Sequence, residues 1–148
     1  MQKCTLALGC FWKPEENFKN KPGILQTEVG YAGGHTPKVT YEEVCTGNSG
    51  HAEVVQLTFD ENVISYKKIL DLFFKMHDPT QKDMQYPDVG TQYRSEIFYE
   101  TEQQKIEATE MLNQFNKLLD GKIETNISKI KNYCKAEEYH QKYIEKNR

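Results

Sequence analysis

The alternation of hydrophobic and polar residues predicts five β-strands, because every second side chain of a strand points to the same face. In the stretch 24–31, for example, Leu25, Thr27 and Val29 fall on one face. The clearest alternation lies in 51–59, and shorter stretches lie at 5–9, 95–100 and 124–130. We therefore expect strands at these five positions.

Apolar residues at helical spacing predict two long helices after residue 60. Ser65, a favoured N-cap, precedes the first of them. Thr101 and Gln104 form the pattern of a capping box at the start of the second, and Gly121 is a suitable residue to end it.

Two more helices are expected near the ends of the chain. One begins at Pro14, since proline suits the first helical turn, and it must end by the break signal at 21–23. The other is a polar helix at 136–146. The stretch 41–45 is ambiguous, and 77–94 has few periodic apolar residues. A loop as long as 77–94 is usually functional or disordered.

Strands and helices are mixed without strict alternation, which predicts an α+β fold, in the form of a two-layer sandwich of sheet and helices. The length of 148 residues fits a single domain, 1–148. The 19 basic and 22 acidic residues are spread along the chain and give a net charge of −3. Nucleic acid is therefore not expected as a partner, because phosphate binding needs a clustered basic surface.

The cysteines and the hydropathy of the chain indicate the cellular compartment of the protein. No stretch approaches the roughly 20 apolar residues of a membrane span. The four cysteines are widely spaced, without a C-x-x-C pair, which is typical of a cytosolic chain with free thiols and disfavours a zinc site. We expect a cytoplasmic monomer with no bound metal and no membrane partner.

Cys10 is the first candidate for chemistry, because it falls in a glycine turn between a predicted strand and a predicted helix. Backbone N–H groups at a helix N-terminus favour an anion, so we expect them to lower the pKa of this thiol. Phe11 and Trp12, the only tryptophan, follow it and suggest a small, partly apolar substrate. A buried core thiol explains the same stretch equally well.

Glu53 is the second candidate, because it is in register with the apolar face of Val55, Leu57 and Phe59. A carboxylate on such a face conflicts with a simple core, and conflicts of this kind tend to mark sites. The other candidates are polar or aromatic residues of loops and chain ends: Tyr41, His51, Asp88, Tyr93, Tyr139, His140 and Tyr143. We expect the histidines His35, His51 and His140 to be structural hydrogen-bonding residues rather than bases.

Six short motifs occur in order along the chain: GCFW at 9–12, GYAGG at 30–34, GHAEV at 50–54, HDPT at 77–80, DVGTQYRS at 88–95 and AEEYHQ at 136–141. Together they resemble the A-type peptide methionine sulfoxide reductases, over nearly the whole chain. The resemblance implies a ferredoxin-like two-layer sandwich with a mixed β-sheet. It also implies a thiol-dependent repair enzyme that reduces methionine S-sulfoxide, free or in proteins, since one reductase serves each sulfoxide epimer.

The resemblance assigns roles to residues of this chain. Cys10 is implied to attack the sulfoxide sulfur and become a cysteine sulfenic acid. Glu53 is implied to protonate the departing oxygen, a role that suits a buried carboxyl with a raised pKa. Tyr41 and Tyr93 are implied to hydrogen-bond to that oxygen. The residues implied to line the substrate pocket are Phe11, Trp12, Asp88 and Tyr143.

Each role has a structural alternative. Glu53 could be an ordinary carboxylate at the start of a strand, and Asp88 could organise a turn. Tyr41 and Tyr93 could be core phenols with one satisfied hydroxyl.

The regeneration of Cys10 is the step on which the chain departs most from the family pattern. Many family members carry resolving cysteines in a C-terminal tail, and none follows here up to Arg148. We expect no bound cofactor, and direct reduction by an external thiol from thioredoxin, glutaredoxin or a small dithiol. Cys134 is the alternative resolving cysteine. Lys13 also stands where glycine is usual in the family.

Two other functions compete with reduction. A cysteine hydrolase would use Cys10 with His35, His51 or His140, and it would need one of these histidines hydrogen-bonded to the thiol. A binding module would recognise oxidised methionine without turning it over.

Overall fold

A six-stranded mixed sheet with helices on one face forms the framework of the protein, in a computed structural model that describes residues 1–148. In chain order the strands are β1 (Gln2–Leu8), β2 (Ile24–Ala32), β3 (Ala52–Phe59), β4 (Met84–Gln85), β5 (Asp88–Val89), β6 (Ser95–Tyr99), β7 (Asn126–Lys129) and β8 (Cys134–Lys135). The helices are α1 (Trp12–Phe18), α2 (Tyr41–Cys45), α3 (Tyr66–Met76), α4 (Glu102–Leu118) and α5 (Tyr143–Lys146). The expected α+β class is confirmed.

The strand order in the main sheet is β7-β6-β1-β3-β2-β8, and β4 pairs only with β5. Neighbouring strands of the main sheet are antiparallel, except that β6 and β7 are parallel. The strands β1 and β3 therefore lie at the centre, and their ends carry the two candidates for chemistry. No helix is both long and apolar enough to cross a membrane.

The two faces of the sheet have different side chains. On the helix-covered face, large apolar residues such as Leu6, Val55 and Leu57 join the main core. On the other face, Ala7 and Ala52 belong to a smaller cluster of mainly small residues around Phe98. Glu53 alternates with Val54 and therefore lies on the helix-covered face, as its register predicts.

The predicted caps of the long helices are present. The Ser65 hydroxyl accepts a hydrogen bond from the N–H of Lys68, and the Thr101 hydroxyl accepts one from the N–H of Gln104. The reciprocal bond of the expected capping box differs, because the Gln104 side chain accepts from the N–H of Glu100. It also donates to the Lys3 carbonyl, and so ties α4 to β1.

Two local expectations need correction, and one ambiguous stretch has a defined structure. Helix α1 begins at Trp12, so Pro14 lies inside its first turn rather than at its start. Leu25 is exposed because an irregularity in β2 between Ile24 and Gln26 shifts its register. The ambiguous stretch 41–45 is a helix, whose capping box joins Thr40 and Glu43.

The long segment 77–94 is ordered by local hydrogen bonds. It contains the β4–β5 hairpin and a 3₁₀ turn at Thr91–Tyr93. The Asp78 carboxylate accepts from Thr80 and Gln81, and the Gln85 side chain bonds to the Asp78 backbone. This segment brings Asp88 and Tyr93 towards the central strands.

The prediction of one polar helix at 136–146 is wrong. The segment is a 3₁₀ turn at Glu138–His140 followed by the short α5, and Lys142 between them has a φ of +52°. Side chains hold it in this shape: the Gln141 amide exchanges hydrogen bonds with the backbone of Val29, and Glu15 accepts from the N–H of Lys142. These tertiary bonds outweigh the helical preference of the sequence.

Candidate active site

Cys10 lies half-buried in the tight turn between β1 and α1. Gly9 makes this turn with a φ of +97°, a conformation that other residues rarely adopt. A Cβ atom at Gly9 would also lie 2.9 Å from Cγ of Gln85 in β4. The turn that carries the thiol is therefore packed directly against the β4–β5 hairpin.

The thiol is not activated in the way that the sequence suggests. Burial raises the pKa of Cys10 to about 12, a hydrogen bond from the Trp12 backbone opposes this rise, and the carboxylates of Glu53 and Asp88 add to it. The expected lowering by the helix is therefore wrong, because α1 has only 7 residues and its N-terminal contribution is smaller than the desolvation. Cys10 is a protonated thiol at neutral pH.

Glu53 is buried beside this turn, with 1% of its surface exposed. Its Oε1 accepts a hydrogen bond of 3.2 Å from the backbone N–H of Phe11, the residue that follows Cys10. Burial raises the pKa of Glu53 to about 8, an effect that the Phe11 N–H opposes and the Asp88 carboxylate reinforces. The expected raised pKa is confirmed, so the carboxyl group carries a proton at pH 7.

Two phenols are half-buried near the same carboxyl group. Burial raises the pKa of Tyr41, with a hydrogen bond to Cys45 as the next cause. Burial also raises the pKa of Tyr93, and the charges of Glu53, Asp88 and Cys10 contribute to this rise. The mutual electrostatic effects place both hydroxyl groups in the surroundings of Glu53.

The side chains of Trp12, Tyr143, His140 and Phe11 form an aromatic wall next to Cys10. The rings of Trp12 and Tyr143 are stacked, with centroids 3.8 Å apart and planes 9° apart. The Trp12 Nε1–H donates a hydrogen bond of 3.0 Å to Nδ1 of His140, which assigns the His140 proton to Nε2. Phe11 is fully buried and contacts His140 at a centroid distance of 5.1 Å. This wall suits an apolar methyl group.

Two of the three candidate histidines have structural partners, as expected, whereas the side chain of His35 is exposed and makes no hydrogen bond. His140 accepts from Trp12, and Nε2 of His51 lies 3.2 Å from the carbonyl of Asn132. No histidine is hydrogen-bonded to Cys10, so the pairing that a cysteine hydrolase needs is missing. No group of three His, Cys, Asp or Glu side chains is arranged to hold a metal ion.

Sequence reasoning missed Tyr31 and Glu137 as parts of the site. Tyr31 is directly opposite Glu53 in the β2–β3 ladder, and its hydroxyl donates a 2.7 Å hydrogen bond to Oε1 of Glu137. The other oxygen of Glu137 accepts a 2.8 Å bond from the backbone N–H of Tyr41. Both residues lie within the motifs at 30–34 and 136–141, and the alternation of β2 could have placed Tyr31 on the correct face, but nothing in the sequence shows that the two side chains meet.

Cys134 lies apart from Cys10. It pairs with Tyr31 across the β2–β8 ladder, and Tyr31 pairs in turn with Glu53, while β1 lies beyond β3. Three strand spacings of about 4.8 Å separate β8 from β1, or about 14 Å, whereas a disulfide needs Cα atoms within about 7 Å. The strand separation disfavours a bridge between Cys134 and Cys10.

The structure thus brings eight of the nine predicted site residues around the Cys10 turn: Cys10, Phe11, Trp12, Tyr41, Glu53, Asp88, Tyr93 and Tyr143. A cavity of about 500 Å³ lies elsewhere, between the C-terminal ends of α3 and α4.

Known proteins resemble the chain over its whole length. The family model described as "Peptide methionine sulfoxide reductase" matches residues 2–148. The peptide methionine sulfoxide reductase MsrA of Pelagibacter ubique is 55% identical over 146 residues, which cover 99% of each chain.

Two solved structures of Mxr1 from Saccharomyces cerevisiae share the fold. Its reduced form is 39% identical, with a TM-score of 0.95, and the match covers 99% of this chain and 85% of that one. Its complex with Trx2 is 28% identical, with a TM-score of 0.69, and the match covers 96% and 84% of the two chains. The family match and these identities lead to one conclusion: the chain belongs to the peptide methionine sulfoxide reductase family.

Proposed function

We propose that this protein reduces methionine S-sulfoxide, free or within proteins, to methionine. The observation that carries the proposal is the pairing of a half-buried thiol, Cys10, with a carboxyl group, Glu53, that holds its proton at pH 7. The oxygen of a sulfoxide is a poor leaving group unless it is protonated, and a neutral carboxyl group can supply that proton.

The reaction begins with attack of the Cys10 sulfur on the substrate sulfur. A sulfur–sulfur bond forms, and the S–O bond breaks as the oxygen leaves as water with one proton from Glu53 and one from the Cys10 thiol. Water then adds to the Cys10 sulfur, which breaks the sulfur–sulfur bond, releases methionine, leaves a sulfenic acid and returns a proton to Glu53. The substrate sulfur gains two electrons, and Cys10 loses two. Because both groups of the empty site are protonated, the thiol loses its proton only when substrate is bound.

The phenols of Tyr41 and Tyr93 and the aromatic wall bind the substrate. Tyr41 and Tyr93 donate hydrogen bonds to the sulfoxide oxygen, since their raised pKa keeps both hydroxyl groups protonated. The stacked Trp12 and Tyr143 and the buried Phe11 receive the methyl group. Asp88 borders the same pocket.

Regeneration of Cys10 uses an external thiol, with no bound cofactor. A thiolate of thioredoxin, glutaredoxin or a small dithiol attacks the sulfenic sulfur, water leaves, and a second thiol of the same reductant then releases Cys10. The distance between β8 and β1 favours this route over Cys134. The relative Mxr1, which was solved in complex with Trx2, supports a thioredoxin partner.

We also infer the setting in which this activity operates. Residues 1–148 act as one domain and one monomeric unit. The order β6-β1-β3-β2, with α1 and α3 as crossovers, supports a ferredoxin-like core. Four unpaired cysteines support a cytoplasmic location.

The decisive test is turnover of the two methionine sulfoxide epimers with a dithiol reductant. We expect the S epimer to be consumed and the R epimer to remain. Hydrolysis of a thioester substrate, measured in parallel, should be absent. Consumption of neither epimer, or of the R epimer alone, would contradict the proposal.

A further inference from the structure

Glu15 is a buried carboxylate for which the proposed reaction has no use. Only 1% of its surface is exposed, although it lies in the short helix α1. Glutamate is almost never fully buried unless it is paired, so its partners explain why it is there.

The two oxygens of Glu15 join parts of the chain that are far apart in sequence. Oε2 accepts a 2.7 Å hydrogen bond from the Thr27 hydroxyl in β2. Oε1 accepts a 2.6 Å bond from the backbone N–H of Lys142, just before α5, and the Lys142 ammonium lies 3.9 Å from Oε2. Glu15 therefore ties α1 to β2 and to the segment that carries Tyr143.

The hydrogen bond from the Lys142 N–H to Glu15 fixes the geometry of the aromatic wall. Trp12 and Glu15 are three residues apart in α1, so they lie on the same side of the helix. Two consecutive residues of the other segment meet them: Lys142 binds Glu15, and Tyr143 stacks on Trp12 at 3.8 Å. Lys142 also has a φ of +52°, a conformation that the bond to Glu15 helps to hold.

We infer that Glu15 is a positioning residue, which sets the stacked pair Trp12–Tyr143 and thereby the affinity for the methyl group of the substrate. The inference rests on the proposed function for the identity of that substrate. Glu15 itself does not touch the reacting atoms. Its removal should displace Lys142 and Tyr143 locally while the segment stays attached, because the Gln141 amide still binds the backbone of Val29.

The test compares Glu15→Ala, Glu15→Gln and the matched control Glu16→Gln. Glu16 is the next residue of the same helix, and its ion pairs with Lys19 and Arg148 join α1 to the far end of the C-terminal segment, without a hydrogen bond to Trp12 or Lys142. Two quantities are measured: KM with the single-turnover rate at saturation, and acrylamide quenching of Trp12, whose fluorescence is unique because the chain has one tryptophan.

For Glu15→Ala we expect KM to rise about tenfold, or about 1.4 kcal/mol. We expect stronger quenching of Trp12, and a single-turnover rate at saturation within about threefold of the wild type. Glu15→Gln should stay close to the wild type, because its carbonyl can accept from Lys142 while its amide donates to the Thr27 hydroxyl. Glu16→Gln should change neither quantity.

Three outcomes would overturn the inference: unchanged KM and quenching in Glu15→Ala, a lowered saturated rate with unchanged KM, or a Gln variant as defective as the Ala variant. If Glu15→Ala does not fold, Thr27→Val removes one of the two donors and should move both quantities in the same direction by less. Loss of reduction in the wild type would contradict the proposed function alone, since quenching of Trp12 still reports the positioning.

Discussion

Two sides of the site are held in place by different means. On the sheet side, Cys10 follows β1 and Glu53 is the second residue of β3, and a ladder of backbone hydrogen bonds joins these strands. On the C-terminal side, His140 and Tyr143 lie in an irregular segment, 136–147. The position of that segment depends on single side chains, such as Glu15.

The difference predicts two kinds of mutational effect. A ladder of many bonds keeps its register when one side chain changes, so substitutions on the sheet side should alter the chemical step while the geometry survives. A segment held by a few side-chain bonds has no such redundancy. Substitutions there should alter the position of the binding residues, and so substrate affinity or orientation, more than the reactivity of the thiol.

The largest effect is expected on the sheet side, for Cys10→Ser. Serine keeps the shape of the turn but removes the nucleophilic sulfur, so reduction of the sulfoxide should be abolished. Cys4→Ser is the control, because Cys4 is fully buried in β1, and its single-turnover rate should stay within a few-fold. Stoichiometric consumption of sulfoxide by Cys10→Ser would remove Cys10 as the nucleophile.

The second-largest effect is expected for Glu53→Gln. Its single-turnover rate should be lowered about 10²–10⁴-fold, with substrate affinity nearly unchanged. The amide can still accept from the Phe11 N–H, but it is a very poor acid. The wild-type rate should fall as pH rises above the Glu53 pKa of about 8, because the acid must hold its proton, and the variant should lack this decline. A fully active variant, or a wild-type rate flat across pH 8, would exclude this role.

A smaller effect is expected on the C-terminal side, for Glu137→Ala. The carboxylate accepts from the Tyr31 hydroxyl and from the N–H of Tyr41, and alanine removes both acceptors. An unsatisfied buried group costs about 1–3 kcal/mol, so Tyr41 should shift and the single-turnover rate should fall about tenfold. The neighbouring Glu138→Ala, on an exposed residue, is the matched control and should behave as the wild type.

The smallest effect is expected for Cys134→Ser, which should leave single-turnover and dithiol-driven rates unchanged. After one equivalent of substrate without reductant, three of the four thiols should remain free, together with a trappable sulfenic acid on Cys10. Two free thiols and a Cys10–Cys134 disulfide in the mass spectrum would show instead that the sheet edge rearranges during turnover.

The sheet side could be predicted from the sequence because its determinants are local. The alternation in 51–59 places Glu53 on the face of Val55 and Leu57, and the structure confirms this. The caps at Ser65 and Thr101 were equally readable. The protonation state of Cys10 could not be predicted, since burial of the thiol depends on the fold around it. Burial raises the pKa of the thiol by more than the short helix lowers it.

The bonds that hold the C-terminal side could not be predicted, because they join residues about 100 or more positions apart. Helical preference alone indicated one helix over 136–146, and nothing nearby shows that Lys142 donates to Glu15 or Gln141 to Val29. The strand β8 could not be predicted either, because two residues are too few to show an alternation of hydrophobic and polar positions. Only the sheet order separates Cys134 from Cys10.

The proton held by Glu53 has a cost in the thermodynamic stability of the whole protein. Its pKa is about 8 in the folded chain against an ordinary 4.5, so folding at neutral pH requires uptake of a proton. The contribution of Glu53 to the free energy of unfolding should be greatest below pH about 4.5 and fall by about 1.4 kcal/mol per pH unit up to about 8. The loss at pH 7 is roughly 3 kcal/mol, a large part of the 5–15 kcal/mol that a domain usually has. The residue that makes reduction possible therefore narrows the temperature range in which the protein stays folded.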